Sequence, residues 1–149
     1  MTVLYPFVPP PAISAAVIAR LADAVRSVSA FRCEFATTAW FGDDVLWLAP
    51  QPDEPFRALT QAVSAAFPGY PPYGGVYDDV VPHLTVGDRS AGDVSEVRSA
   101  GDVSELRAAE ADMLSGLPVQ ARISRVWLMT GRAEPGSWRT VAELPLAAR

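Results

Sequence analysis

The stretch Pro82-His83-Leu84-Thr85-Val86 is where residue types and spacing in this 149-residue chain best suit a reaction. His83 is the only histidine, and an imidazole with an ordinary pKa of about 6.5 gives or takes a proton near neutral pH. On a strand, residues two apart face one side at a separation of about 6.6 Å. His83 and Thr85 would then address one ligand at a phosphate-sized spacing, while Leu84 and Val86 turn to the core. A lone histidine is more often a structural residue, so its surroundings must decide.

Other chemistry-bearing residues carry less. Asp43-Asp44 and Asp78-Asp79 pair carboxylates, but strand neighbours point to opposite faces and aspartate favours turns, so turn duty outranks metal ligation. Tyr73 and Tyr77, with Tyr5, are candidates for stacking on a base, against the plainer alternative of packing. Gly74-Gly75 lacks the spacing and the following lysine of a nucleotide-phosphate loop. Arg125 and Arg139 could meet phosphate, although solvated strand arginines are commoner.

These residues need elements to hold them. Thr2 to Phe7 is β-branched and aromatic and stops before Pro9-Pro10-Pro11, which predicts a short opening strand. Ile13, Ala16, Val17, Leu21, Ala24, Val25 and Val28 recur at steps of three and four, predicting a helix over 12–28 entered from Pro11 and Ser14. Phe31, Cys33, Phe35, Thr37, Ala39 and Phe41 alternate with more polar neighbours. After Gly42-Asp43-Asp44 the run Val45 to Ala49 follows, so an antiparallel hairpin is expected. Phe56, Leu59, Val63, Ala66 and Phe67 mark a second helix ended by Pro68-Gly69. The segment 68–82 is an aromatic, proline- and glycine-rich loop.

PHLTVG reads as a short strand after that loop. A third helix ends near Ser115, with Leu106, Ala109, Met113 and Leu117 on one face. Val119 to Met129 and Ser137 to Leu146 form a closing strand pair. Within this half, Arg89 to Val97 recurs as Arg98 to Leu106 with eight of nine residues identical. Nine helical residues rotate by about 900°, half a turn out of phase, so Val94 and Val103 cannot share one buried face. The first copy belongs on the surface and the helix starts in the second, with Asp102 and Glu105 as cap and reciprocal partner. The repeat reads as a tandem duplication without function.

Strand, helix, strand, strand recurs in both parts of the chain. The expected fold is α+β: one domain over 1–149, with two lobes of antiparallel sheet, helices outside and a cleft between. The lobes would be roughly 1–67 and 80–149, joined by the loop 68–80. A chain near 150 residues buries roughly 70% of its unfolded surface, enough for one core.

Composition removes several classes. Half the residues are apolar and 19% charged, far from disordered or collagen-like chains. Seventeen acidic against twelve basic residues leave a net charge of −5, the wrong sign for gripping a long nucleic-acid duplex. Small or terminal phosphates remain open. The single Cys33 excludes an internal disulfide and, with one histidine, a tetrahedral Cys/His zinc site; a reducing cytoplasm fits. The first nineteen residues are uncharged, but Pro6, Pro9, Pro10 and Pro11 forbid a spanning helix, and Met1 to Phe7 lacks the basic start of a secretory signal.

The two ends of the pattern also match each other. Laying Thr2-Val3 on Thr85-Val86 puts Met1 in the place of Leu84 and the partner of His83 one residue before Met1. TVLYPFVPP and PPYGGVYDDVVPHLTVG together resemble the 2H phosphoesterase superfamily, the 2'-5' RNA ligase and cyclic nucleotide phosphodiesterase relatives. Its mark is two His-x-Thr-x motifs on duplicated lobes, and the resemblance spans residues 1–146. TVLYPF resembles the tail of the first motif, which commonly reads histidine, valine, then TVLYPF. The first histidine is absent here, and a GUG valine codon read as a start would produce Met1 in the place of that valine. The chain is therefore expected to be an N-terminally truncated reading of a longer protein, with a sheet edge left bare.

The resemblance implies a metal-independent phosphodiesterase or ligase acting on 2',3'-cyclic or 2'-5' phosphodiesters of nucleotides or RNA ends. One histidine would serve as base and one as acid. Thr2 and Thr85 would donate to the nonbridging oxygens. It implies no cofactor and, as partner, a small nucleotide or RNA terminus; the acidic balance speaks against a long duplex, the opening prolines against a membrane span, and a monomer is expected. With His83 alone, one proton transfer loses its catalyst. The alternative is a noncatalytic RNA or nucleotide-binding module that keeps the site without the acid-base pair. A third possibility is an accidental HLTV strand in an unrelated α+β fold.

Overall fold

A computed structural model shows an α+β protein and describes residues 1–77, 79–89, 100–132 and 136–148. The first repeat copy beyond Arg89, and Asp78, lie outside the described residues. In chain order the elements are α1 (Ala15–Arg26), β1 (Phe31–Phe41), β2 (Val45–Gln51), α2 (Glu54–Ala66), β3 (Leu84–Asp88), α3 (Ala100–Leu114), β4 (Val119–Ile123), β5 (Arg125–Thr130) and β6 (Arg139–Pro145). Short 3-10 turns occupy Pro10–Ala12 and Pro72–Gly75. A four-stranded sheet runs in the order β3-β2-β1-β4, and β5 pairs with β6 in a second sheet. Among the described residues no helix is long and apolar enough to cross a membrane.

The chain divides into two compact units. One comprises Met1–Thr2, Cys33–Asp53 and Pro82–Ala121; the other comprises Val3–Arg32, Glu54–Val81 and Arg122–Arg149. Each draws on both the 1–67 and the 80–149 parts of the chain.

In the unit containing α1 and α2, local chemistry explains the helices. Ser14 Oγ accepts from the Val17 amide at 3.3 Å, the N-cap pattern that satisfies one orphan donor. That cap starts α1 at Ala15 instead of residue 12, because the prolines before it close into their own 3-10 turn. Leu21, Ala22 and Val25 bury the inner stripe of α1, and Phe56, Leu59 and Val63 that of α2. α1 packs on both α2 and β6. Phe31 meets Phe56 edge to face at 4.8 Å and Phe7 meets Phe67 at 4.9 Å, contacts that add about 0.5–1.5 kcal/mol each beyond burial.

Three expectations are corrected here. Residues 1–9 form no strand. Pro6 and Pro9 lack the amide hydrogens a ladder needs, and the segment is held by other means: Thr60 Oγ1 donates to the Val3 carbonyl at 2.9 Å, and the Tyr73 amide to the Tyr5 carbonyl at 2.7 Å. The run Val119 to Met129 is two strands, not one. It breaks at Ser124, whose carbonyl accepts from the Leu146 amide at 3.0 Å, so β4 joins β1 while β5 turns to β6. Finally, α3 already includes Ala100, which places Asp102 inside the helix and not at its cap. Its half-buried positions are Val103, Leu106, Glu110, Met113 and the following Leu117, with Ala109 exposed.

In the other unit, the β1–β2 hairpin turns through Gly42, whose φ of +57° is one that side chains with a Cβ rarely adopt. Two irregularities interrupt its sheet. On β1 the register slips between Phe35 and Thr37, leaving Ala36 as the extra residue. On β3 it slips between Gly87 and Thr85, leaving Val86 extra. Directly opposed residues share a face. One face therefore carries Trp40, Leu46, Leu48, Leu84 and Gly87, and the other Ala39, Phe41, Val45, Trp47 and Thr85.

α3 lies over the first of these faces. Trp40 Nε1 donates to Glu110 Oε1 at 3.0 Å, the Arg107 guanidinium sits 4.4 Å from the Trp40 ring centroid, and Gly87 leaves room for Leu106, whose Cδ2 an added Cβ would meet. Leu46 on this face is wholly buried and Leu48 nearly so.

Candidate functional site

The second face of the sheet gathers the residues with chemistry. Thr85 on β3 opposes Trp47 on β2. His83, one residue before β3, presents its ring to two aromatics: Phe41 edge to face at 5.0 Å and 89°, and Trp47 at 5.9 Å and 64°. Phe41 in turn stacks on Trp47 at 4.8 Å with 26° between planes. His83 is half-buried, Thr85 exposed and Phe41 39% exposed, so both groups with transferable or donated hydrogens reach solvent beside an aromatic base. Trp47 Nε1 is buried and finds no hydrogen-bond partner among the described residues. Such an unmatched donor costs about 1–3 kcal/mol.

The bulges explain this arrangement. A bulge inserts one residue, so the side chains beyond it change faces relative to an uninterrupted strand. Phe31, Cys33 and Phe35 alternate as buried residues; past Ala36 the same parity, Thr37, Ala39 and Phe41, lies on the face away from α3. An unbroken alternation over 31–41 would have sent Phe41 to the core. The bulge at Val86 has a matching effect on β3: Val86, expected in the core, is 43% exposed, while Leu84 and Gly87 both fall on the buried face.

Phe41 and Trp47 were not among the residues the sequence pointed to. A signal was available: Phe41 and Val45 flank the turn Gly42-Asp43-Asp44 at equal distances from its centre, and Trp47, two residues beyond Val45, emerges on the same face of the hairpin. The bulge that decides their face had no such mark.

The remaining candidates fall as follows. Met1 and Thr2 belong to the same compact unit as His83 and Thr85. Tyr5, Tyr73 and Tyr77 belong to the other, where they form a group of their own. The Tyr73 and Tyr77 rings meet edge to face at 5.6 Å, and Tyr73 adopts a φ of +51°, unusual for an aromatic residue, in the turn tied to Tyr5. Burial raises the Tyr73 phenol pKa, with a further rise from Tyr77.

The carboxylates serve turns and ion pairs. Asp43 lies 3.5 Å from Arg107, Asp44 3.7 Å from Arg89, and Asp79 2.7 Å from Arg57. Among the described residues no three His, Cys, Asp or Glu side chains cluster as metal ligands. Arg125 is paired with Glu143 at 2.7 Å across β5 and β6, and Arg139 lies exposed on β6. Cys33 is buried, which raises its thiol pKa.

The structure is thus an α+β protein in which half-buried His83 and exposed Thr85 share one sheet face. The family comparison is more specific: the model of the 2'-5' RNA ligase superfamily matches residues 1–134. The chain belongs to that superfamily, a group of phosphoesterases. No curated protein matches it.

Proposed function

We propose that the protein is a metal-independent phosphodiesterase acting on 2',3'-cyclic or 2'-5' phosphodiesters of nucleotides or RNA ends. The observation that carries this reading is His83 and Thr85 beside one indole on an open sheet face, in a chain of the 2'-5' RNA ligase superfamily. Opening a cyclic phosphate requires water to lose a proton as it attacks phosphorus and the departing ribose oxygen to gain one. His83 performs one of these transfers. The Thr85 hydroxyl, with that of Thr2, donates to the nonbridging oxygens, where charge grows in the transition state.

The chain holds one histidine where such a mechanism uses two, which favours a second reading: a nucleotide-binding module without turnover. Hydrolysis of 2',3'-cyclic AMP by the 149-residue chain, and by a version with histidine placed before Met1, separates the two. The phosphodiesterase reading expects the added histidine to raise turnover by about 10² to 10⁴, the worth of one general acid or base, and His83→Ala to remove as much. Tight binding of the nucleotide without turnover by either form would establish the module instead. If His83→Ala alters neither binding nor rate, both readings fall.

A further inference from the structure

Resting on the phosphodiesterase reading, we infer that Phe41 and Trp47 are positioning residues that set the imidazole plane of His83 for its proton transfer. His83 lies one residue before β3, on the sheet face that carries Phe41 and Trp47. The two aromatic rings limit it from different directions: the Phe41 contact is perpendicular at 89° and the Trp47 contact is tilted at 64°. Their mutual stacking at 4.8 Å makes them one rigid support. An imidazole held in this way has few rotamers to choose from, and a proton donor or acceptor that is pre-aimed loses less entropy on reaching the transition state.

The sheet irregularity supports a dedicated role. Phe41 is 39% exposed, a poor use of a phenyl ring if core burial were its purpose. It reaches the His83 face because Ala36 interrupts the register of β1. The buried Trp47 Nε1 without a partner is likewise a cost that packing alone would avoid.

The test uses the fact that one histidine yields one set of imidazole resonances. Hε1 and Hδ2 of His83 are followed by NMR in the wild type, Phe41→Leu and Phe41→Tyr, alongside kcat and KM for 2',3'-cyclic AMP. Phe41→Leu is expected to move both resonances and to lower kcat by about 10- to 10²-fold, the scale of a misaimed catalytic group, with KM nearly unchanged. Phe41→Tyr, which keeps the ring, restores both readouts, and Trp47→Leu repeats the loss. Resonances that stay in place in Phe41→Leu overturn the inference, as do resonances that move while kcat holds. A change confined to KM also overturns it, by making Phe41 a substrate contact. Absence of turnover in the wild type and its histidine-extended form defeats the phosphodiesterase reading and the catalytic part of this inference together. Shifted resonances would in that event identify the former as the cause.

Discussion

Two stretches that open on the same Thr-Val pair, Thr2-Val3-Leu4-Tyr5 and Thr85-Val86-Gly87-Asp88, have different backbones. The second lies in β3, in ladder register with β2 from Trp47 to Val45. The first is irregular, tied down by a threonine hydroxyl on the Val3 carbonyl and by the Tyr73 amide on the Tyr5 carbonyl. β-branched and aromatic residues favour a strand only when a neighbouring strand supplies donors and acceptors, and proline withdraws one donor at each occurrence. The difference shows that the shared Thr-Val pair does not by itself determine the backbone.

The contrast makes separable demands on stability, and the largest effect is expected under β3. Leu46 opposes Gly87 and is fully buried, so Leu46→Ala removes packing beneath the second stretch. A loss of about 2–5 kcal/mol is expected in urea unfolding, with the His83 resonances perturbed as well. A loss below about 1 kcal/mol would show that the ladder alone holds β3, against the packing argument. For the first stretch, Thr60→Val deletes the hydroxyl at 2.9 Å from the Val3 carbonyl. The expected cost is about 1 kcal/mol, the net worth of one such hydrogen bond. Amide exchange should quicken around residues 2–5 and stay slow in β3. Equal acceleration in both would erase the distinction.

The smallest effect concerns the turn on which the first stretch rests. Because burial, and then Tyr77, raise the Tyr73 phenol pKa, the folded protein keeps that proton to higher pH than the unfolded chain. The resulting stability is present below the ordinary phenol range near about 10 and is lost as pH rises through the raised value. Spectrophotometric titration of Tyr77→Phe should show Tyr73 ionising at lower pH than in the wild type while still above a free phenol. An unchanged titration would mean that burial alone sets it.

Much of this fold could be read from local periodicity. The stripes of α1 and α2, the hairpin at Gly42 and the strand after Pro82 all depend on residues close in sequence, and all are present. What the sequence hid depends on distant partners. Whether Thr2 to Phe7 forms a strand depends on an available sheet edge. Whether 119–129 is one strand or two depends on Leu146 taking the Ser124 carbonyl. The face on which Phe41 emerges depends on a slip at Ala36, and an alanine has no side chain to announce it. At the candidate site, the His-x-Thr spacing was therefore visible and its aromatic support was not.

Val86 has one further consequence, for association between molecules. Among the described residues β3 is a terminal strand of its sheet, and an edge strand's outer row of backbone donors and acceptors is a template for another chain's strand. The extra residue at Val86 breaks that row within a five-residue strand, and the exposed Asp88 adds charge beside it. The same distortion that sets Leu84 and Gly87 against the core thus makes this edge a poor seed for intermolecular sheets.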